Sequence, residues 1–185
     1  IKEEKRRKLV GAFADKNFAN AIFEKYAEHI FTSRLSVRIN GRAINPEEYL
    51  VSGPFPLESE FVTLDGVKHK VSYQLIQLKT VSPLHRIFLR QNNAGIQTVG
   101  HVLNYEASIP EPYQWFAYVD SDYFSQQANV FRTIELLGES NPDSKKILDL
   151  IRADVDKFFA SRYPAFNDFI AQLKVDTFYP YRMSR

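Results

Sequence analysis

From Leu35 to Val119 the apolar residues tend to recur at alternate positions, and tight-turn dipeptides break that alternation at short intervals. A chain patterned this way folds into strands joined by hairpins. Leu35, Val37 and Ile39 alternate with Ser36, Arg38 and Asn40, and Asn40-Gly41 supplies the positive φ angles of a tight turn. Arg42 to Ile44 reads as the short return strand, stopped by Pro46. Residues 51–60 hold Gly53, Pro54 and Pro56 and read as a loop. A second hairpin is expected where Phe61 to Leu64 meets Asp65-Gly66, because Val67, His69, Val71, Tyr73 and Leu75 then alternate with polar residues. Ile87 to Arg90, Ile96 to Leu103 and Tyr113 to Val119 read as three further strands. Asn92-Asn93-Ala94-Gly95 turns between the first two, and Pro110 and Pro112 precede the third.

At both ends the period lengthens to that of a helix. Asp15 can cap a helix over about 16–31, with Phe18, Ile22, Tyr26 and Ile30 at i+4 spacing. Asn141 is placed to be an N-cap, with Pro142 at the first helical position. Ile147, Leu148, Ile151, Val155, Phe158 and Phe159 then form one apolar stripe, which Pro164 ends or kinks. Phe166, Phe169, Ile170 and Leu173 outline a shorter helix, and Tyr179 to Arg182 reads as the start of a linker. The expected class is α+β: a mixed sheet of about five strands with helices on one face. The expected organisation is an N-terminal helical segment (1–34), a sheet domain (35–140) and C-terminal helices (141–185) packed on it or extending from it.

Composition narrows the function classes. There are 15 Phe and 10 Tyr in 185 residues, enough large apolar side chains to build a core. Cysteine is absent, which excludes disulfides, thiolate chemistry and cysteine-based zinc sites and is compatible with a cytoplasmic setting. No apolar run reaches the roughly 18 residues that a membrane helix needs. The formal charge of +2 names no partner. Lys2, Lys5, Arg6, Arg7 and Lys8 read as a solvated helix face, with nucleic acid or an acidic partner as the alternative. The chain opens at Ile1 on a charged helical pattern, and a boundary inside a longer protein is expected there.

No Gly-rich phosphate loop and no Gly-x-Ser-x-Gly elbow can be written from the seven glycines. His29, His69, His85 and His101 stand far apart and read as surface or strand histidines. One acidic pattern stands out: Asp120-Ser121-Asp122 follows an apolar strand. Two carboxylates at a strand end can hold Mg²⁺ or Mn²⁺ through hard oxygen ligands, as nucleotide-sugar transferases do. The alternative is that Asp120 and Ser121 cap a turn.

Residues 119–133, VDSDYFSQQANVFRT, also resemble a segment in the middle domain of the ninety-kilodalton heat-shock chaperones. There a strand leads to a loop whose arginine reaches the γ-phosphate of ATP. Val119 to Asp122 match its opening, and Asn129, Val130 and Arg132 match its Asn-Val-Ser-Arg core. Residues 35–50, LSVRINGRAINPEEYL, are similar to the strand–Asn-Gly–strand that opens the second domain of GHKL-type ATPases, a superfamily that includes gyrase B, MutL and MORC proteins. The resemblance implies a coupling (transducer) domain with a left-handed βαβ fold also found in a ribosomal protein. It implies no turnover by this chain alone. ATP and Mg²⁺ would belong to a preceding domain, sensed by Arg132, with Asn129 beside the nucleotide and Lys79 as a second candidate. It further implies a homodimer of the full-length protein and a client of unstated identity. Two other readings stay open: an interaction module without a nucleotide role, and a metal-dependent transferase using Asp120 and Asp122.

Overall fold

The computed structural model describes residues 3–5, 7, 18, 22–23, 26–27, 29–31, 36–39, 41–93, 96–107, 109–126 and 141–163. Strands β1 (Val37–Ile39) and β2 (Arg42–Ile44) form an antiparallel ribbon around Gly41, at φ 78°. Asn45 Oδ1 accepts the Glu47 amide at 3.2 Å and starts one 3₁₀ turn over Pro46–Glu48. The main sheet comprises β3 (Leu50–Val62), β4 (Lys68–Val81), β5 (Leu84–Asn93), β6 (Ile96–Glu106) and β7 (Tyr113–Ser121). Its strand order is β3-β4-β7-β5-β6. Only β5 and β7 run parallel; the other neighbours are antiparallel. Helices α1 (Asp122–Gln126) and α2 (Pro142–Arg162) follow. The class is therefore α+β with a five-stranded mixed sheet, as the patterning implies.

Residues 51–60 are strand, not loop. The proline and glycine signals mark an edge rather than an interruption. β3 pairs only with β4, so Pro54 and Pro56 cost no ladder bond on the open side. Irregularity is confined to register shifts between Leu50 and Phe55. Gly53 lies there at φ 104°, and a Cβ on it would meet the Leu75 carbonyl oxygen at 2.7 Å.

Both faces of the sheet are covered. On one, α2 lays Ile147, Ile151, Val155 and Phe159 against Val71, Tyr73, Leu75, Ile87, Trp115 and Val119. This is the apolar stripe read from the sequence. Asn141 Oδ1 caps the helix, accepting from the Asp143 amide at 3.0 Å and the Ser144 amide at 3.4 Å. Buried polar groups fix the helix in place: the Tyr73 hydroxyl donates to Asp154 Oδ2 at 2.8 Å. Cover on the second face goes beyond the single covered face expected. Phe23, Ala27 and Ile30, at described helical positions, pack on Ile76, Leu78, Phe88, Phe116 and Tyr118. The short helix at 166–173 and the tail at 179–182 lie outside the described residues.

The strand order has a consequence at one end of the sheet. β4 ends, β7 and β5 begin and β6 ends at that same end, since Val81 faces Tyr113 and Leu84 faces Glu106. The β4–β5 link must therefore span the start of β7, and the 107–112 link must span the start of β5. The two connections cross, which sheet topologies generally avoid. They are tied where they meet: the Ser82 amide donates to the Pro112 carbonyl at 3.2 Å.

Gly53→Ala is expected to cost about 1–3 kcal/mol through positive-φ strain plus the clash with Leu75. Gly66→Ala, at φ 87° with nothing within 4 Å of a Cβ, carries only the strain. Urea melts of both variants check this; equal losses would deny the close approach at Gly53.

Candidate functional site

Parallel neighbours end at the same edge of a sheet, and the crevice beyond their carboxyl ends is where open sheets place ligands. Here the pair is β5 and β7, and Arg90 and Asp120 are partners in their register. A cleft of about 270 Å³ opens there, lined by Lys70, Ser72, Arg90, Asp120, Asp122 and Ser125. Its composition is polar and of mixed charge.

Arg90 is 3% exposed. Its guanidinium carbon lies 4.4 Å from the Tyr118 ring centroid, a cation–π contact, and Nη1 is 3.7 Å from Asp120 Oδ2. Burial pulls Arg90 below its ordinary pKa, and the Asp120 carboxylate opposes that. Burial likewise pushes the Asp120 carboxyl up, against the pull of Arg90 and a smaller one from His29. In both members desolvation outweighs the partner, so the pair is expensive to hold. Asp122 behaves differently. It is the first residue of α1, half exposed, with Oδ2 3.2 Å from Nδ1 of the buried His69. His69 packs on Phe61 and Tyr123, on the α2 face, whereas Arg90 lies against Tyr118 on the other. The two carboxylates of the Asp-Ser-Asp pattern thus line one cleft, but each lies nearest a basic group of its own. That arrangement gives the divalent-metal reading no support. Among the described residues, no three His, Asp or Glu converge. Ser121 Oγ accepts the Tyr123 amide at 3.3 Å, so the capping role expected of this stretch falls on Ser121.

The other residues singled out from the sequence are not brought to this cleft. Asn129 and Arg132 lie outside the described residues. Lys79 is exposed near the end of β4, where Leu78 pairs with Gln114; Ser72, opposite Asp120, is at the other end. Its ammonium reaches the Glu47 carbonyl at 3.4 Å and its amide donates to Tyr49 at 2.8 Å. Sequence reasoning missed Arg90 altogether. The only available signal was its place two residues after Phe88 on an alternating strand, which puts it on the face that Phe88 buries.

Comparison with protein-family models, curated proteins and solved structures finds no match to this chain. No helix among the described residues is long and apolar enough to cross a membrane.

Asp120→Asn is expected to cost about 2 kcal/mol, between the values for exposed and fully buried pairs, because it leaves Arg90 buried without its carboxylate. Replacing both, as Arg90→Met with Asp120→Leu, should restore most of that loss. Denaturant titrations of the wild type and these two variants check both expectations. A neutral Asp120→Asn would show that the pair contributes nothing, and a Mn²⁺-dependent rise in Tm abolished by that substitution would restore the metal reading.

Proposed function

We propose that this chain is an interaction domain that receives a polar side chain of a partner polypeptide in the cleft at the carboxyl ends of β5 and β7. The Arg90–Asp120 pair carries the reading. It is a desolvated ion pair whose two members are both shifted toward their neutral forms by burial, and it lines an opening. Such a pair stabilises poorly, and perturbed charges in a cleft are typical of sites that bind. The cleft holds about one side chain. Its donors are Arg90, Lys70 and Ser125 and its acceptors are Asp120 and Asp122, which suits a polar group that both accepts and donates. We place the domain in the cytoplasm, a setting that the cysteine-free sequence allows.

Ser125→Arg and Lys70→Glu alter exposed positions at the mouth. Both are expected to leave Tm within about 2 °C. They should reduce recovery of the partner roughly tenfold in quantitative affinity capture from source cells, a change of about 1.4 kcal/mol. A partner recovered equally by wild type and both variants would place the contact elsewhere.

A second reading, that of a GHKL coupling domain acting with ATP and Mg²⁺ in a preceding domain, is favoured by one observation. Val119 to Ser121 end the central strand β7, and α1 begins at Asp122, so the segment resembling the chaperone motif leaves the sheet beside the cleft. Against it, the parallel pair β5 and β7 is linked through β6 rather than through a crossover helix. In the full-length protein, Arg132→Ala should slow ATP hydrolysis about 10²-fold if this reading holds. Equal steady-state rates from two equally stable proteins would end it.

A further inference from the structure

The crossing connections frame a second cavity, at the end of the sheet opposite the charged cleft. It measures about 420 Å³, within the range of pockets that hold small molecules. Its walls are apolar: Val81 and Pro83 from the β4–β5 link, and Ala107, Ile109 and Pro112 from the link that crosses it. Val81 is 72% exposed at the rim, an apolar side chain left in water.

One charge stands in this apolar lining. Glu111, half-buried, joins it from the second link. Its Oε2 accepts from the Tyr163 hydroxyl and from Gln77 Nε2, both at 2.7 Å. Those hydrogen bonds, Tyr163 first, hold its carboxyl below the usual range, so it is ionised. Both donors are neutral groups. Oε1 accepts from no described residue and is not sealed from water. Arg162 adds only a weaker pull through space, because its guanidinium is stacked over the Phe55 ring at 4.8 Å and the Trp115 ring at 5.3 Å. His85 brings no charge to the lining. Its Nδ1 accepts the Trp115 amide at 3.0 Å, the Ala107 carbonyl lies beside the ring, and burial holds its pKa below the ordinary value. A carboxylate on an apolar wall, with no cation in ion-pair contact among the described residues, attracts one from outside.

We propose that this cavity binds a small organic ammonium ion with an apolar body, its cationic head at the Glu111 carboxylate and its body between the two links. The ammonium group donates to the oxygen that Tyr163 and Gln77 leave free, and Val81, Pro83, Ala107, Ile109 and Pro112 take the hydrocarbon. The Glu111 charge excludes carboxylates and phosphates, and the neutral His85 gives them no compensating cation. This site is separate from the charged cleft and does not depend on the partner proposed for it.

The test uses benzylamine as probe, benzyl alcohol as its neutral counterpart and the whole chain labelled with ¹⁵N. Benzylamine is expected to bind with a Kd on the order of 1 mM, as a ligand of this size allows. It should shift the amides of Ile109 and Glu111 and the indole N–H of Trp115. That signal stands alone, because the chain has one Trp, and its Nε1 donates to the Tyr163 hydroxyl at 3.3 Å, next to Glu111. Asp122 and Ser125, at the charged cleft, should not move. Benzyl alcohol should bind roughly tenfold more weakly. Glu111→Gln, which keeps an accepting oxygen but removes the charge, should erase that preference. Val81→Tyr, at an exposed position, should narrow the mouth and weaken both probes while leaving the remaining spectrum unchanged. The proposal is overturned by a folded protein whose Ile109 and Glu111 amides stay still at benzylamine concentrations well above that Kd, or by shifts confined to Asp122 and Ser125. It is equally overturned by equal binding of the two probes to the wild type, or by unchanged benzylamine binding in both variants.

Discussion

Placing β7 between β4 and β5 requires two connections to pass over one another at a single end of the sheet. β4 and β5 are consecutive in sequence, yet they do not pair, because β7 arrives later in the chain and fills the position between them. Its own link must then cross the start of β5. Adjacent strands lie about 4.8 Å apart, so each link bridges roughly 10 Å. The bond from Ser82 to Pro112 closes the crossing, and Gln114 Nε2 reaches the Leu84 carbonyl at 2.5 Å to tie the start of β7 to the start of β5. Two links that cross cannot both lie flat on the sheet edge. The space between them is the apolar cavity, and His85 lies beneath it.

The same insertion makes β7 the most enclosed strand. With neighbours on both sides and cover on both faces, Gln114 to Val119 are all buried. This explains why Tyr113 to Val119 is so apolar, unlike the alternation of β4, where Lys68 and Lys70 face solvent. It also sets the charged cleft. β7 and β5 are parallel, so Asp120 and Arg90 leave the sheet together, at the point where cover on the second face gives way to polar side chains. The two ends of one strand pair therefore differ in chemistry. One end gathers desolvated charges, and the other gathers apolar walls around a neutral imidazole.

Much of the fold is legible in the sequence because the signals are local. The turns at Gly41 and at Asp65-Gly66 and the Asn141-Pro142 cap each act within a few residues, and each falls where the sequence puts it. The α2 stripe is legible for the same reason, since one helix face meets one sheet face. β3 was not legible: Gly53, Pro54 and Pro56 mean a loop in a central strand but are tolerated at an edge, and edge position is a property of the whole sheet. Strand order was equally hidden, because nothing in the β7 residues names its neighbours. The sites follow suit. Asp120 and Asp122 were visible as a pattern, but Arg90 and His69, the groups they face, come from β5 and β4. His85 carried no signal at all, since its isolation from other histidines reads as a lack of chemistry.

The two openings differ in how their polar groups are held. Arg90 and Asp120 face each other, so the charged cleft can rest without a ligand, at the cost of a desolvated pair. His85 is held by backbone groups instead. Its Nδ1 is committed to the Trp115 amide, and that commitment fixes Nε2 as a donor, buried beside the Ala107 carbonyl. Reorienting the ring would strand the Trp115 amide instead, in the middle of the α2-facing core. The Nε2 donor is thus built into the packing of Trp115 and Phe159 around His85 rather than left over from a mobile side chain. The crossing connection brings the Ala107 carbonyl to that side of the ring.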